Sequence, residues 1–231
     1  MAPIARAAIL AMALAALLTT GYGLESARAA TINVACSTAD LTAAINTANN
    51  ETTNPGLDTL ELTAGCNYAY TTAAGGGTAL PPINSAITIN GHGAAIRRDP
   101  AAAARFRIIA VVGPAVLTIN ETTISGGRAT NGASAGQVGE VAGGIRLTSG
   151  NLTIVDSTIT DNQAGNGNSN GLTGGNGGAG GAGGGIYAAG GSLTIVDSTI
   201  SGNSAGNGGT GRSGVPPVVA LSKWYISAAG S

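Results

Sequence analysis

From Asp58 onward, apolar and polar residues of this chain alternate with a period of two. The segments ITIN (87–90) and LTIN (117–120) follow this pattern, as does the octapeptide LTIVDSTI, which occurs at 152–159 and again at 193–200. Leucine, isoleucine or valine alternates there with threonine, serine or asparagine, which is typical of β-strands that bury one face. The pattern therefore predicts a chain made mainly of short strands.

The strands recur as copies of one repeating unit. Equivalent segments begin, at spacings of 30, 35 and 41 residues, at Ile87, Leu117, Leu152 and Leu193. A glycine-led strand precedes two of these segments, as AGGIRL (142–147) and GGGIYA (183–188), and a Thr-Ile strand follows each unit's Leu-Thr-Ile strand. A fixed order of elements at a period of this size indicates a repeat architecture.

Stacking of successive units as the coils of a solenoid explains this pattern. Identical units without tight two-residue turns cannot pair as hairpins, whereas stacked coils pair equivalent strands in parallel about 4.8 Å apart. We expect four aliphatic pairs, Leu152 on Leu193, Ile154 on Ile195, Ile159 on Ile200 and Ile145 on Ile186. The predicted fold is all-β, a parallel β-helix with a core of aliphatic ladders and with ends that need caps.

One short helix is predicted before the strands. In STADLTAAINTAN (37–49), apolar residues recur at helical spacing, at Leu41, Ala44, Ile45 and Ala48. Ser37 followed by Asp40 is typical of a helix N-terminus, and Pro55 lies beyond the end. A helix this short needs a surface to dock on, and we expect it to cap the solenoid.

The N-terminal part resembles the CSLREA-type region of bacterial right-handed parallel β-helix proteins. CSTADLTAAINTAN (36–49) corresponds to that motif and its helix, and GLDTLELTAGCNY, LPPINSAITINGHGAAIRR and FRIIAVVGPAVLTINETTISGG resemble the blocks that follow. GGGIYAAGGSLTIVDSTISGNSA (183–205) is similar to the coils of that family and to the repeats of polymorphic outer-membrane proteins. The resemblance covers about 31–205. It implies a single-stranded, right-handed, pectin lyase-like fold in an exported, surface-associated protein, within a family mostly without an established activity.

The C-terminal end departs from this family, whose members often carry further coils and an anchoring region. After Gly211 the repeat gives way to RSGVPPVVALSKWYISAAGS. We expect a truncated or frame-shifted chain there, and a terminal cap is the alternative. The predicted organisation is a signal peptide at 1–29, an N-terminal cap with the helix at 30–57, coils with glycine- and asparagine-rich loops at 58–211, and an irregular tail at 212–231.

The first residues are typical of a bacterial secretory signal peptide. Arg6 precedes a short apolar run at 7–18, and Ala-Arg-Ala at 27–29 fits a cleavage site, so the mature chain is predicted to begin at Ala30. The run is shorter than the about 20 residues of a comfortable bilayer span, with a retained anchor as the alternative. No transmembrane segment is predicted after removal of the leader, and we expect a secreted or cell-surface protein.

Composition narrows the classes of partner. Charged residues make up 9% of the chain and the net charge is −1, whereas an ordinary globular domain has roughly 25% charged residues. The low charge argues against nucleic-acid binding by a basic surface and against simple disorder. The expected partner is a polysaccharide or another cell-surface molecule, and no cofactor is predicted.

The chain has two cysteines, Cys36 and Cys66. In an oxidising compartment such a pair forms one disulfide, and the loop that it closes is worth roughly 3 to 4 kcal/mol. Two free thiols are the alternative. A metal site built from two cysteines and one distant histidine is not expected.

One column of acids is the main chemical candidate. Glu121, Asp156 and Asp197 align because the strands before them align. Carboxylates this close would raise one another's pKa unless a cation joined them, which suggests a calcium site or a catalytic pair of Asp156 and Asp197. The other interpretation is a bend, because aspartate tolerates left-handed backbone and the coil must turn there. No lysine or histidine recurs beside the column as a base, and we favour the bend.

His92 and a group of arginines are the remaining polar candidates. His92, in NGHGA, has no evident orienting carboxylate, and we expect a solvent-facing turn residue rather than a base. The basic cluster, which suits either an anionic glycan or simple solvation of an outer face, consists of Arg97, Arg98, Arg105 and Arg107. Solvation is the favoured interpretation.

The stretch GNGGAG (175–180) matches a nucleotide-binding pattern but lies outside any βαβ unit, so it indicates no nucleotide site. We expect it to be a flexible projection between coils.

These patterns support three hypotheses about function. The first is an exported bacterial β-helix protein that serves as a structural, adhesive or glycan-binding surface module without catalysis. The alternative is a carbohydrate-active enzyme, a polysaccharide lyase or hydrolase, since glycoside hydrolysis needs two positioned carboxyl groups. The third is a nonfunctional fragment of a longer surface protein.

Overall fold

The structure, a computed structural model, describes residues 29–171 and 175–211. The predicted signal peptide, apart from its last residue, and the predicted tail at 212–231 lie outside the described residues. Within these residues it contains one helix and fourteen strands. In chain order the elements are β1 (Thr31–Val34), α1 (Thr38–Ala48), β2 (Leu57–Leu62), β3 (Asn67–Tyr70), β4 (Ala86–Asn90), β5 (Ala95–Arg98), β6 (Ile109–Val111), β7 (Val116–Asn120), β8 (Thr123–Ser125), β9 (Ile145–Leu147), β10 (Asn151–Val155), β11 (Thr158–Thr160), β12 (Ile186–Ala188), β13 (Ser192–Val196) and β14 (Thr199–Ser201).

The strands form three parallel sheets. Their spatial orders are β1-β2-β4-β7-β10-β13 for the first sheet, β14-β11-β8-β5-β3 for the second and β12-β9-β6 for the third. From β4 onward, each run of three consecutive strands supplies one strand to each sheet, and the next run lies beside it. This all-β arrangement is compatible with the predicted solenoid.

The strand register confirms the predicted aliphatic pairs. All four occur, namely Leu152 with Leu193, Ile154 with Ile195, Ile159 with Ile200 and Ile145 with Ile186. The register is specified by burial, because a shift of one residue would move every aliphatic side chain of a strand to the solvent face.

The core consists of ladders of stacked side chains. One ladder in the first sheet runs through Ile87, Leu117, Leu152 and Leu193. Its first three members are buried, whereas Leu193, in the last described rung, is only partly buried. Tyr68 and Phe106 are also fully buried, so aromatic rings contribute to a core for which the repeats predict aliphatic ladders.

Helix α1 packs against β1, β2 and β3. Its N-cap is Ser37, whose side chain accepts a hydrogen bond from the amide of Asp40 at 3.1 Å, as predicted. The buried face is the predicted one, formed by Leu41, Ala44, Ile45 and Ala48. Tyr70 lies under the helix and donates from its hydroxyl to the carbonyl of Thr38 at 3.1 Å. Burial raises the pKa of Tyr70 to about 12.

Cys36 and Cys66 form a disulfide, which confirms that prediction. The bond connects the segment before α1 to the segment before β3 and therefore holds the helix against the first strands. A loop of 30 residues separates the two cysteines, for which chain entropy is worth roughly 3 to 4 kcal/mol. A disulfide is typical of proteins in a non-reducing environment.

The glycine-rich segments differ from the sequence-based expectation. They connect β8 to β9 and β11 to β12, and a third follows β14. Within 175–180, Gly178 donates its amide to the carbonyl of Asn168 at 2.9 Å and accepts from the amide of Gly209 at 2.8 Å. The prediction of a flexible projection is therefore wrong for the described residues, because the segments form a layer joined by backbone hydrogen bonds.

The glycines of this layer are required by close approach of neighbouring backbones. A Cβ at Gly165 would overlap the carbonyl oxygen of Thr130, and a Cβ at Gly206 would overlap that of Gly165. The same overlap with a neighbouring backbone carbonyl applies to Gly139, Gly167, Gly177, Gly178, Gly180 and Gly181. Any larger residue at these positions would separate the segments.

Candidate functional site

A histidine and two carboxylates meet at the corner that follows β4. The Nε2 atom of His92 lies 2.7 Å from Oε2 of Glu61, and its Nδ1 atom lies 4.0 Å from Oε2 of Glu121. His92 is a turn residue with φ of +50° and a half-exposed side chain, as expected. The expectation that no carboxylate orients it is wrong, because Glu61 does.

Sequence reasoning missed this pair because Glu61 and His92 are 31 residues apart and in non-equivalent positions of their repeats. They become neighbours when β2 pairs with β4, which places Glu61 beside Asn90, two residues before the histidine. The sequence signal for this pair is the alignment of Glu61 in DTLEL with Asn90 in SAITIN. The pair lines a shallow cleft of about 570 Å³ that is open to solvent, together with Asn33, Ala35 and Thr63.

Glu61 is held in its ionised form. Hydrogen bonds from His92 and, less strongly, from Asn90 keep the pKa of Glu61 below its ordinary value. The side-chain amide of Asn90 donates to Oε1 of Glu61 at 2.7 Å, and the side-chain amide of Asn120 donates to Oδ1 of Asn90 at 2.8 Å. At neutral pH Glu61 is therefore suited to orient the imidazole or accept a proton, and unsuited to act as a general acid.

The predicted acid column lies at one corner of three successive repeats. Glu121, Asp156 and Asp197 are exposed and have left-handed backbones with φ of 47°, 47° and 45°. This conformation is the one that the bend interpretation requires, and it is rare for residues other than glycine, asparagine and aspartate. A catalytic role for Asp156 and Asp197, the less favoured interpretation, stays untested.

Metal binding by the column finds no support in the geometry. Within 29–171 and 175–211, no three side chains of histidine, cysteine, aspartate or glutamate come together in a way that would hold a metal ion.

A ladder of hydroxyl groups lies directly behind the acid column. Each acid is followed by Thr122, Ser157 or Ser198, and each of these hydroxyls donates at 2.7 Å to the carbonyl two residues earlier. The hydroxyl oxygens of Ser157 and Ser198 also accept a hydrogen bond from the backbone of the preceding repeat. The amide of Thr122 donates to Ser157 Oγ at 3.1 Å, and the amide of Ser157 donates to Ser198 Oγ at 3.0 Å. At this corner the hydroxyl groups therefore have a structural role, because they form hydrogen bonds with buried backbone groups.

Two members of the arginine cluster are buried, whereas Arg97 is half-buried and alternates along β5 with the buried Ile96 and Arg98. Arg98 and Arg107 are each 6% exposed, so the favoured interpretation is wrong for these two residues. Arg98 donates to the carbonyls of Ala104, Asp99 and Ala102, and its guanidinium lies 5.5 Å from the ring centre of Phe106. It therefore fixes the loop after β5.

Arg107 has a similar structural role. It donates to Glu140 at 2.9 Å and to the carbonyls of Val141 and Ala142 at 3.2 and 3.4 Å. Burial lowers the pKa of both Arg98 and Arg107. Arg105 is half-buried and donates to the carbonyl of Ala129 at 2.8 Å. All three guanidinium groups donate to carbonyl oxygens of the chain, and that of Arg107 also donates to the carboxylate of Glu140.

The outer face of the first sheet carries an array of threonines in register. We call it the threonine face, and its members are Thr31, Thr59, Thr88, Thr118, Thr153 and Thr194. All six are half-buried or exposed. At the strand spacing of about 4.8 Å, the array is about 24 Å long. Sequence reasoning predicted the strands but did not identify this face, since it compared only their aliphatic residues.

Two further rows flank the threonines on the same face. One contains Leu57 and Val116, which are 50% and 39% exposed and are two of the three large exposed apolar residues in the described chain. The other row begins with Asn33, Glu61, Asn90 and Asn120, of which only Glu61 is charged. Glu61 is the one charged residue of these three rows, which are rich in hydroxyl groups and border the acid column.

Comparisons with protein-family models, with curated proteins and with solved structures found no match to this chain. The resemblance to the CSLREA-type proteins therefore depends on sequence motifs alone. Across the described ranges, no helix has the length and apolar character needed to cross a bilayer.

Proposed function

We propose that this chain is an exported bacterial right-handed parallel β-helix protein with a CSLREA-type N-terminal region, and that it serves as a glycan-binding surface module. Three parallel sheets with one strand per repeat support the fold. The signal peptide-like residues at 1–29 and the disulfide support export.

The threonine face is the observation that carries the binding function. A hydroxyl group both donates and accepts hydrogen bonds, which suits the hydroxyl groups of a sugar. The array is long enough to contact several sugar rings, and Leu57 and Val116 add exposed apolar contacts beside it. Because the face is almost uncharged and Arg98 and Arg107 serve internal carbonyls, the expected ligand is a neutral polysaccharide rather than an anionic one.

The test removes threonine hydroxyl groups from the first sheet in one variant and from the second sheet in another, and it compares glycan binding by the two variants. The first variant carries Thr88→Val, Thr118→Val and Thr153→Val in the middle of the threonine face. The matched control carries the same change on the outer row of the second sheet, at Thr123, Thr158 and Thr199. Valine is nearly isosteric with threonine and favourable in strands, so both variants are expected to fold.

Binding is measured on a glycan array and then by titration calorimetry with the strongest neutral glycan. We expect the first variant to lose binding to this glycan and the control to keep it. Equal binding by both variants, or no binding of the unmodified protein to any neutral glycan, would refute the proposal.

A second candidate function is a carbohydrate-active enzyme, a polysaccharide lyase or hydrolase. The observation that favours it is the Glu61–His92 pair in its cleft, where an ionised carboxylate orients an imidazole that is able to move a proton. The assay measures unsaturated products and new reducing ends from pectin and from neutral polysaccharides. Activity lost in Glu61→Gln and kept in Asp156→Asn would assign the reaction to the cleft, and the reverse result would assign it to the acid column.

A further inference from the structure

A carboxylate stands at the head of an aliphatic ladder. Asp58 in β2 is paired with Ile87, so it occupies the rung that continues into Leu117. The alternating burial of β2 places Asp58 on the same side as Leu60, and Asp58 is 0% exposed. A buried carboxylate among aliphatic side chains is strongly unfavourable without hydrogen bonds and a counter-charge.

The described residues give this carboxylate one hydrogen bond and no counter-charge. Its Oδ1 atom accepts a hydrogen bond from the backbone nitrogen of Ala30 at 2.6 Å. Its Oδ2 atom is buried and has no hydrogen-bond partner among residues 29–171 and 175–211. The ion pairs of the described residues involve His92 and Arg107, and none includes Asp58.

Ala30 is held beside Asp58 by the edge of the first sheet. Its carbonyl accepts from the amide of Thr59 at 2.8 Å, and the next residue, Thr31, is paired with Thr59. Ala29, the preceding residue, is exposed. Ala30 is also the residue at which the Ala-Arg-Ala pattern predicts that the mature chain begins.

We propose that Asp58 is a binding site for the α-ammonium group that removal of the leader creates at Ala30. The inference requires cleavage between Ala29 and Ala30 and is independent of glycan binding. An endopeptidase hydrolyses that peptide bond with one water molecule. The water oxygen goes to the carbonyl carbon of Ala29, which leaves as a carboxylate, and the nitrogen of Ala30 takes up protons to become an ammonium group.

The reaction changes the nitrogen of Ala30 from a neutral amide with one N–H to a cation with three. One N–H keeps the hydrogen bond to Oδ1, and a second is available to Oδ2, the atom without a partner in the described chain. The positive charge compensates the buried carboxylate. Processing thus completes the first rung of the core, and the unprocessed chain retains an uncompensated buried charge.

The test is a cycle of two chain starts and two side chains. One protein begins at Ala30, and the other begins at Arg28 and is otherwise identical, so its Ala30 nitrogen is an amide. Each is made with Asp58 and with Asp58→Asn, which keeps the Oδ1 acceptor and removes the charge. Asp156→Asn, an exposed acid in the same fold, is the control in both backgrounds.

We expect Asp58→Asn to lower Tm in the chain that begins at Ala30 and not in the extended chain. In the chain that begins at Ala30 the substitution separates a buried ion pair and lowers Tm by roughly 6 to 20 °C. In the extended chain it removes an uncompensated charge and leaves Tm unchanged or raises it. The same Tm change in both chains would overturn the proposal.

Two measurements on the unmodified protein test it without any substitution. Mass spectrometry of the exported chain is expected to show Ala30 as its first residue, and a start at another position would overturn the proposal. The α-amine of the folded mature chain is expected to react more slowly with an amine-modifying reagent than the same amine in urea. Equal reaction rates would overturn the proposal as well.

Discussion

The hydroxyl oxygen of Ser157 lies 3.1 Å from the amide nitrogen of Thr122, although 35 residues separate the two in the chain. Both residues are buried, at 3% and 2% exposure. The bond joins one repeat to the next at the corner where the acid column stands. It explains why the aspartate of LTIVDSTI is followed by a hydroxyl residue, since the acid turns the backbone and the hydroxyl satisfies the amide that the turn leaves unpaired.

Ser157→Ala is expected to lower the free energy of unfolding by about 1 to 3 kcal/mol, because the buried amide of Thr122 loses its acceptor. Ser149→Ala is the control, since its exposed hydroxyl donates to the carbonyl of Gly113 and its loss is expected to cost within about 0.5 kcal/mol. Urea denaturation measures both. Equal losses would show that the Ser157 hydroxyl has no special role.

At Asp156 we expect the backbone conformation, and not the charge, to determine the effect of a substitution on stability. Asp156→Asn, which tolerates left-handed backbone, is expected to leave stability nearly unchanged, whereas Asp156→Val is expected to cost about 1 to 2 kcal/mol. Thermal denaturation with and without calcium checks the alternative. A calcium-dependent rise in Tm that disappears in the Asp156→Asn and Asp197→Asn double variant would support a metal site and contradict the bend interpretation.

Gly165→Ala is expected to destabilise the glycine layer by about 1 to 3 kcal/mol, because the new Cβ overlaps the carbonyl of Thr130 and the segments must separate. Gly75→Ala is the matched control, since its added Cβ has no atom within 4 Å among the described residues other than Gly75 and its two chain neighbours. Denaturant midpoints of the two variants give the comparison. A tolerated alanine at Gly165 would mean that the layer is loosely packed.

His92→Ala is expected to raise the pKa of Glu61 toward its ordinary value of 4.5, because the hydrogen bond from His92 is the largest cause of its lowering. The contribution of Glu61 to stability is present above pH 4.5 and is lost as the pH falls through the lowered pKa of the folded state.

NMR titration of the Glu61 carboxyl carbon measures the shift directly. Asn90→Ala serves for comparison and is expected to produce a smaller rise, since Asn90 contributes less to the lowering. No change in the titration of Glu61 on removal of His92 would contradict the pairing.

Alignment of the repeats was sufficient to predict contacts between equivalent positions. The pairing of Leu152 with Leu193 follows from such an alignment, because in-register parallel strands place equivalent residues beside one another. The helix Thr38–Ala48 was predictable for a local reason, the capping by Ser37 and the spacing of its apolar residues. The disulfide followed from the chain's having only two cysteines.

Contacts between non-equivalent positions required the tertiary structure. The Glu61–His92 pair depends on how far the turn after β4 departs from the strand, and the burial of Arg98 and Arg107 depends on the paths of the loops beside them. The composition of the glycine-rich segments predicts flexible loops, because it does not show what lies against them. The sequence by itself therefore determined the strands, their register and the helix, which depend on periodicity and local capping. The close packing of the loops and the partners of Asp58, Glu61 and the arginines were decided by the tertiary structure, because the paths of irregular segments set those distances.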